Sequence, residues 1–305
     1  MKQNESSITA LVSAFSRAYH SQNDSPLIFD DYLAKDLLSQ REFSEIRENM
    51  INGIQLFNKT IGETFKDDPD KILKWITQVH LSPTPLARAA FCESVIFNEI
   101  HLGLEQYVIL GAGLDTFCFR HLELVKKLEI FEVDHPATQE FKIKRLNGAG
   151  LTVPSHLHFV PMDFTKKFSY QSLIDTGFDE NKKTLLSLLG VSYYLSKEEN
   201  ASLINQIFTS LPSGSSIVFD YADENLFIEK GLSNRVENMV KLASVGGEPM
   251  KSCFAYRELE RLLEKSGLLI YEHLSPTSIN VTYFKNRTDY LSAFETIHFI
   301  HAVKK

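Results

Sequence analysis

The chain has 305 residues, 43% of them hydrophobic, and 32 Lys+Arg against 39 Asp+Glu for a formal net charge of −7, enough for one large domain or two small ones around a sizeable core. This acidic balance, with no run of five or six like charges, excludes a basic footprint for nucleic-acid phosphates or an anionic membrane surface. No apolar run approaches the roughly 18 residues that cross a bilayer, the first residues lack the apolar core of a secretory signal, and Cys92, Cys118 and Cys253 have no CxxC or Cys/His spacing for zinc, so the expectation is a cytoplasmic protein with reduced structural cysteines and no metal.

Taken in chain order, the first third reads as helix. Ile8, Leu11, Val12, Phe15 and Tyr19 mark one face of a first helix. Phe43, Ile46, Met50, Ile54, Phe57 and Ile61 step by threes and fours and predict one long amphipathic helix, closed off near Asp67-Asp68-Pro69. Ile72, Leu73, Ile76 and Val79 predict a short one, and Pro83 and Pro85 open another that carries Arg88 and ends near Gly103. Beyond Gly103 the period changes to short apolar runs between helical segments, the pattern of an α/β fold with a mostly parallel sheet. Strands are expected at Tyr107 to Leu110, Leu128 to Val133, His158 to Met162, Thr184 to Leu189, Ser216 to Tyr221, Leu268 to His273 and His298 to Val303. The apolar run Leu185 to Val191 predicts a central strand, and the alternating polar residues of the last predict a partly exposed one.

The first strand runs into Gly111-Ala112-Gly113-Leu114-Asp115-Thr116, a glycine turn where a nucleotide approaches the carboxyl ends of an α/β sheet. Alone, such a GxG occurs in many βα turns. Asp134 ends the second strand about 20 residues beyond the first glycine, the spacing at which an acid accepts from a ribose diol; an acid there could instead cap the helix begun by Pro136. Dinucleotides and S-adenosyl-L-methionine share this layout. A dinucleotide needs a third glycine and a free helix N-terminus for its pyrophosphate, but here stand Thr116 and, before it, Asp115, whose carboxylate would repel phosphate. S-adenosyl-L-methionine carries no phosphate, so Asp115 favours it. After the third strand, Asp163 can accept from the adenine amine and the amide of Phe164 can donate to the ring.

At these residues the sequence resembles the leucine carboxyl methyltransferase family, including its bacterial branch of O-methyltransferases associated with polyketide biosynthesis. The matching segments are Thr9-Ala10-Leu11 with Arg17-Ala18, Ala87-Arg88, the Leu110 to Thr116 turn, Phe131-Glu132-Val133-Asp134, Met162-Asp163, Gly190-Val191 to Tyr194-Leu195, and Gly247-Glu248-Pro249. The resemblance implies a class I, Rossmann-like sheet of seven strands with the last antiparallel, a methyltransferase domain over residues 86–305, and an N-terminal helical lid over residues 1–85. It implies that Arg88 grips the donor's methionine carboxylate, a task for a two-pronged guanidinium. It further implies that Gly111 and its turn, with Gly113, lie against the donor, that Asp134 takes the ribose, that Asp163 and Phe164 take the adenine, and that Arg17 can also reach the carboxylate. Two departures stand out: Leu189 replaces an acid common before the Gly-Val pair, and Phe117 stands where many bacterial members have Arg, here placed at Arg120.

Methyl transfer from a sulfonium asks chiefly for collinear positioning in a dry site. An ionised carboxylate acceptor needs no base, whereas a phenol would profit from one. His80, His135 and His273 lack a motif, and Tyr194 and Glu248 are the candidate catalytic, pocket-lining residues. The first reading is an O-methyltransferase acting on a carboxyl or hydroxyl of a small-molecule acceptor. The alternatives are a protein C-terminal carboxyl methyltransferase, a binding protein that keeps the nucleoside site without catalysis, and, ranked after them, an NAD-dependent oxidoreductase.

Overall fold

The computed structural model describes residues 8–163 and 168–305. Before the sheet come α1 (Ile8–Asn23), α2 (Gln40–Asn52), α3 (Ile54–Phe57), α4 (Lys59–Thr64), α5 (Pro69–Ile76) and α6 (Pro83–His101). The sheet contains β1 (Gln106–Leu110), β2 (Glu129–Asp134), β3 (Leu157–Pro161), β4 (Thr184–Leu188), β5 (Ser216–Ala222), β6 (Leu268–Leu274) and β7 (Ile297–Lys304). Between these strands lie α7 (Phe117–Arg120), α8 (Pro136–Gly148), α9 (Tyr170–Ile174), α10 (Lys197–Ser210), α11 (Arg235–Val245), α12 (Tyr256–Lys265) and α13 (Pro276–Ile279).

The strands lie in the order β3-β2-β1-β4-β5-β7-β6. The first five pair in parallel, and β7 runs antiparallel to both its neighbours, as expected for the last strand. Successive strand residues face opposite sides, and here both sides are apolar. Tyr107, Ile109, Ile130, Leu185, Val218 and Phe299 enter one core with α1 and α6. Val108, Leu110, Phe131, Leu186, Phe219 and Ile300 enter the other with α10 and α12. Burial on both faces is why these strands read as continuous apolar runs. Phe15 and Ala18 of α1 are fully buried in the first core, and a buried Phe contributes about 1.5–3 kcal/mol.

Two expectations are corrected. The long helix of residues 43–61 is broken into α2, α3 and α4. Gly53 ends α2, and Asn58, in extended conformation, caps α4 by accepting from the Ile61 N–H, so side-chain capping overrides the apolar period. The last strand is interior rather than partly exposed, and β6 holds the edge of the sheet. Of the polar residues of β7, His298 meets Asp223 and His273 inside, and His301 is buried 3.7 Å from Glu99.

The helical cap has a small core of its own, with Ile54, Ile72, Trp75, Ile76 and Val79 buried together. Residue 85 falls inside α6, which runs unbroken from this cap towards β1. All three cysteines are free thiols. Among the described residues, no helix is long and apolar enough to cross a membrane.

Candidate active site

Parallel strands bring their carboxyl ends to one edge, so the segments after β1, β2 and β4 meet there. Gly111 has φ +74°, and a Cβ on it would lie 2.5 Å from Val191 Cγ2; only glycine lets the loop after β4 close against this turn. The Gly113 N–H donates to Asp134 Oδ2 at 2.5 Å, and the His135 N–H to Asp134 Oδ1 at 2.6 Å. Asp134 therefore faces the turn, and the cap of α8 falls to His135, whose Nδ1 accepts from the Ala137 N–H. Burial pushes the Asp134 carboxyl above the usual range, opposed by the two N–H donors. Each of its oxygens keeps a further lone pair.

Helix α1 lies across this turn. Ala10 Cβ is 3.3 Å from where a Gly113 Cβ would stand. Arg17 donates from Nη2 to the Leu114 carbonyl at 2.7 Å, from Nε to Asp31 at 2.8 Å and from Nη1 to Ser13 Oγ at 2.9 Å, so each of its nitrogens is engaged within the protein. Asp31 also accepts from Thr116 Oγ1 and lies 3.4 Å from Arg120 Nε, and Arg120 pairs with Glu93 and stacks over Phe29. The displaced arginine thus braces α7 against α6 and the segment that follows α1. Asp115 Oδ1 accepts from the Phe117 N–H at 2.8 Å, and α7 is a single turn, so no long helix N-terminus opens under the glycine turn. Asp163 is half-buried just past β3, while Phe164 lies outside the described residues.

Arg88 approaches from α6. Its Nη1 donates to Asp220 Oδ2 at 3.0 Å and to the Tyr193 hydroxyl at 3.1 Å. Asp220, fully buried on β5, accepts from the Gly190 N–H through Oδ1 at 2.6 Å. Gly190 has φ +72°, and a Cβ there would lie 2.5 Å from Arg88 Nη2 and 2.8 Å from Cζ, so the guanidinium rests where any side chain would stand. Burial opposes the charge on Arg88, but Asp220 and Tyr193 outweigh it and hold the group above its ordinary range. Among the described residues, Nε and Nη2 have no further partner.

Tyr194 is half-buried with its ring 4.9 Å from that of Tyr193. Burial, then the charge of Glu248, pushes its phenol up to about 12. Glu248 accepts from Thr9 Oγ1 of α1 at 2.8 Å. The histidines serve elsewhere. His80 packs between Phe57 and Trp75 in the helical cap, its imidazole pushed down to about 4 by burial and by Arg235, and His273 pairs with His298. Sequence reasoning missed Asp220, Tyr193 and Thr9. Asp220 did carry a signal, as the one acid within the otherwise uncharged Ser216–Ala222.

These features fit a ligand with a ribose diol at one end and a carboxylate at the other. The glycine turn leaves room for close approach, Asp134 offers acceptor lone pairs beside it, and Arg88 offers two nitrogens of a fork whose third is already anchored. The chain is 67% identical over all 305 residues, 100% of each chain, to YktD of Bacillus subtilis (strain 168), named as an S-adenosyl-L-methionine-dependent methyltransferase. It is 26% identical over 212 residues, 70% of this chain and 64% of the other, to a protein of Mycobacterium marinum (strain ATCC BAA-535 / M) named likewise. A duf574 family protein from Streptomyces avermitilis MA-4680 shares the fold over 99% of each chain, with a TM-score of 0.58 at 13% identity. Residues 10–208 match the family model for leucine carboxyl methyltransferase; the chain belongs to that family, and it is an S-adenosyl-L-methionine-dependent methyltransferase.

Proposed function

We propose that the enzyme is an O-methyltransferase whose acceptor is a small molecule presenting a carboxylate, with a hydroxyl acceptor as the second case. The observation that carries this reading is the state of the two candidate pocket residues. The Tyr194 phenol stays neutral at physiological pH, and the Glu248 carboxylate is held by Thr9. A neutral phenol is a poor base, and a carboxylate acceptor, already ionised at neutral pH, needs no proton taken. The resemblance to the bacterial branch supports an acceptor from polyketide-type secondary metabolism, and the net charge of −7 supports a small-molecule partner over nucleic acid or an anionic membrane. A cytoplasmic location accords with this.

When bound, S-adenosyl-L-methionine supplies an electrophilic methyl on its sulfonium. The residues of this chain do the positioning: Asp134 would accept from the ribose hydroxyls, Asp163 from the adenine amine, and Arg88 would pair with the methionine carboxylate. Helix α1, tied to the turn by Arg17 and to the Glu248 loop by Thr9, would exclude water from the transfer.

The test is formation of S-adenosylhomocysteine by the purified protein with a panel of aromatic and aliphatic carboxylic acids and phenols. A carboxyl acceptor gives an ester that releases methanol in alkali, and a hydroxyl acceptor gives an alkali-stable ether. Turnover confined to peptides with a free C-terminal carboxyl would overturn the small-molecule reading.

A further inference from the structure

Arg88 and the groups that hold it come from three separate elements. Arg88 is on α6, Gly190 and Tyr193 are in the segment after β4, and Asp220 is on β5. Asp220 has no exposed surface, so no ligand can reach it. Both its oxygens are taken, Oδ1 by the Gly190 N–H and Oδ2 by Arg88, with the Tyr193 hydroxyl at 3.4 Å. Its backbone is fixed as well, since Ser192 Oγ donates to the Asp220 carbonyl at 2.5 Å. Tyr193 is held in turn by the Lys251 N–H, which donates to its carbonyl at 2.7 Å.

A buried ion pair built for pairing alone would be expected to use two parallel N–H donors, the strongest arginine-carboxylate arrangement. Here the contact to Asp220 runs through Nη1 only, which leaves the other edge of the guanidinium without a protein partner. Gly190 makes this possible twice over: its N–H orients the carboxylate, and its missing Cβ makes room for the guanidinium.

We propose that Asp220 and Tyr193 are positioning residues for the donor's amino-acid end, holding Arg88 by one nitrogen over Gly190 so that Nε and Nη2 face a carboxylate. This rests on the reading of Arg88 as the carboxylate partner. The consequence is selective: Asp220 and Tyr193 govern affinity for ligands that carry the amino-acid tail, without touching the ligand, and have little influence on ligands that lack it.

The experiment is titration calorimetry of the full-length protein with two probes, S-adenosylhomocysteine, which has the tail, and 5′-methylthioadenosine, which has the nucleoside alone. For Asp220→Asn, the affinity for S-adenosylhomocysteine should fall by about tenfold or more while that for 5′-methylthioadenosine stays within about twofold. Tyr193→Phe keeps the ring and removes one hydroxyl, and should cost about threefold on S-adenosylhomocysteine alone; it carries the test if the Asp220 variant does not fold. Equal losses on both probes, or no loss on S-adenosylhomocysteine, overturn the proposal. If the unmodified protein binds 5′-methylthioadenosine and S-adenosylhomocysteine equally well, the reading of Arg88 fails first. If it binds both with the expected preference and the variants do not discriminate, only the positioning role fails.

Discussion

At one end of the site Asp134 is held by backbone N–H groups, one from the adjacent residue and one 21 positions away across a single β1-α7-β2 unit. At the other end Arg88 is held by side chains 105 and 132 positions along the chain. Backbone donors are supplied by almost any sequence that folds this way, so the nucleoside end is insensitive to what its neighbours are. Side-chain anchors can be removed singly, so the amino-acid end depends on tertiary partners and can be tuned by substituting them. The difference also explains why the first end can be read from local spacing and the second cannot.

The comparison is broken most severely by Asp134→Ala. It removes charge-assisted hydrogen bonds of roughly 1.5–3 kcal/mol, and calorimetry should show about ten- to a hundredfold weaker binding of both S-adenosylhomocysteine and 5′-methylthioadenosine. Unchanged affinity in a folded variant would separate Asp134 from the ribose. Arg88→Lys should sharpen the comparison: a point charge cannot reproduce a two-pronged contact, so S-adenosylhomocysteine should bind about tenfold more weakly and 5′-methylthioadenosine within about twofold of the unmodified protein. Parallel losses would merge the two ends into one.

Acid should act on the nucleoside end first. Burial raises the Asp134 carboxyl, while Arg88 is held above its ordinary range. As pH falls, Asp134 therefore takes up a proton earlier than an ordinary carboxylate, and the acceptor for the ribose hydroxyls is lost. Arg88 keeps its charge throughout. Titrations on descending pH should show both probes weakening together, and loss confined to S-adenosylhomocysteine would contradict this assignment. The smallest effect belongs to Thr9→Val. The bond from Thr9 to Glu248 is exposed, and its removal should change stability by less than about 0.5 kcal/mol and leave S-adenosylhomocysteine affinity within about twofold, read by thermal melting and calorimetry.

Strand positions were legible because a sheet covered on both faces writes itself as apolar runs bounded by turn residues, as at Leu185 to Leu188. The glycine turn and Asp134 were legible because one β-α-β unit sets the spacing between the turn after β1 and the end of β2. The long helix drawn through residues 43–61 failed at Gly53 and Asn58, where capping competes with an apolar period that continues regardless. Exposure of the last strand was misjudged because His298 and His301 are polar in sequence, and their partners Asp223, His273 and Glu99 come from elsewhere in the chain. Asp220 stood out as an acid in an uncharged strand, but its role could be assigned only once α6 had delivered Arg88 against it.

The placement of β7 between β5 and β6 makes the last strand the link between the parallel part of the sheet and its antiparallel edge. β6 precedes β7 in sequence, yet among the described residues its one strand neighbour is β7, which it meets along a register from Leu268 with Lys304 to Leu274 with Phe299. Parallel pairing of the first five strands can proceed without it. The edge of the sheet farthest from β3 is therefore tied to the parallel strands through β7 alone, and the non-local closure of β7 onto β5 is the step that joins that edge to the rest of the sheet.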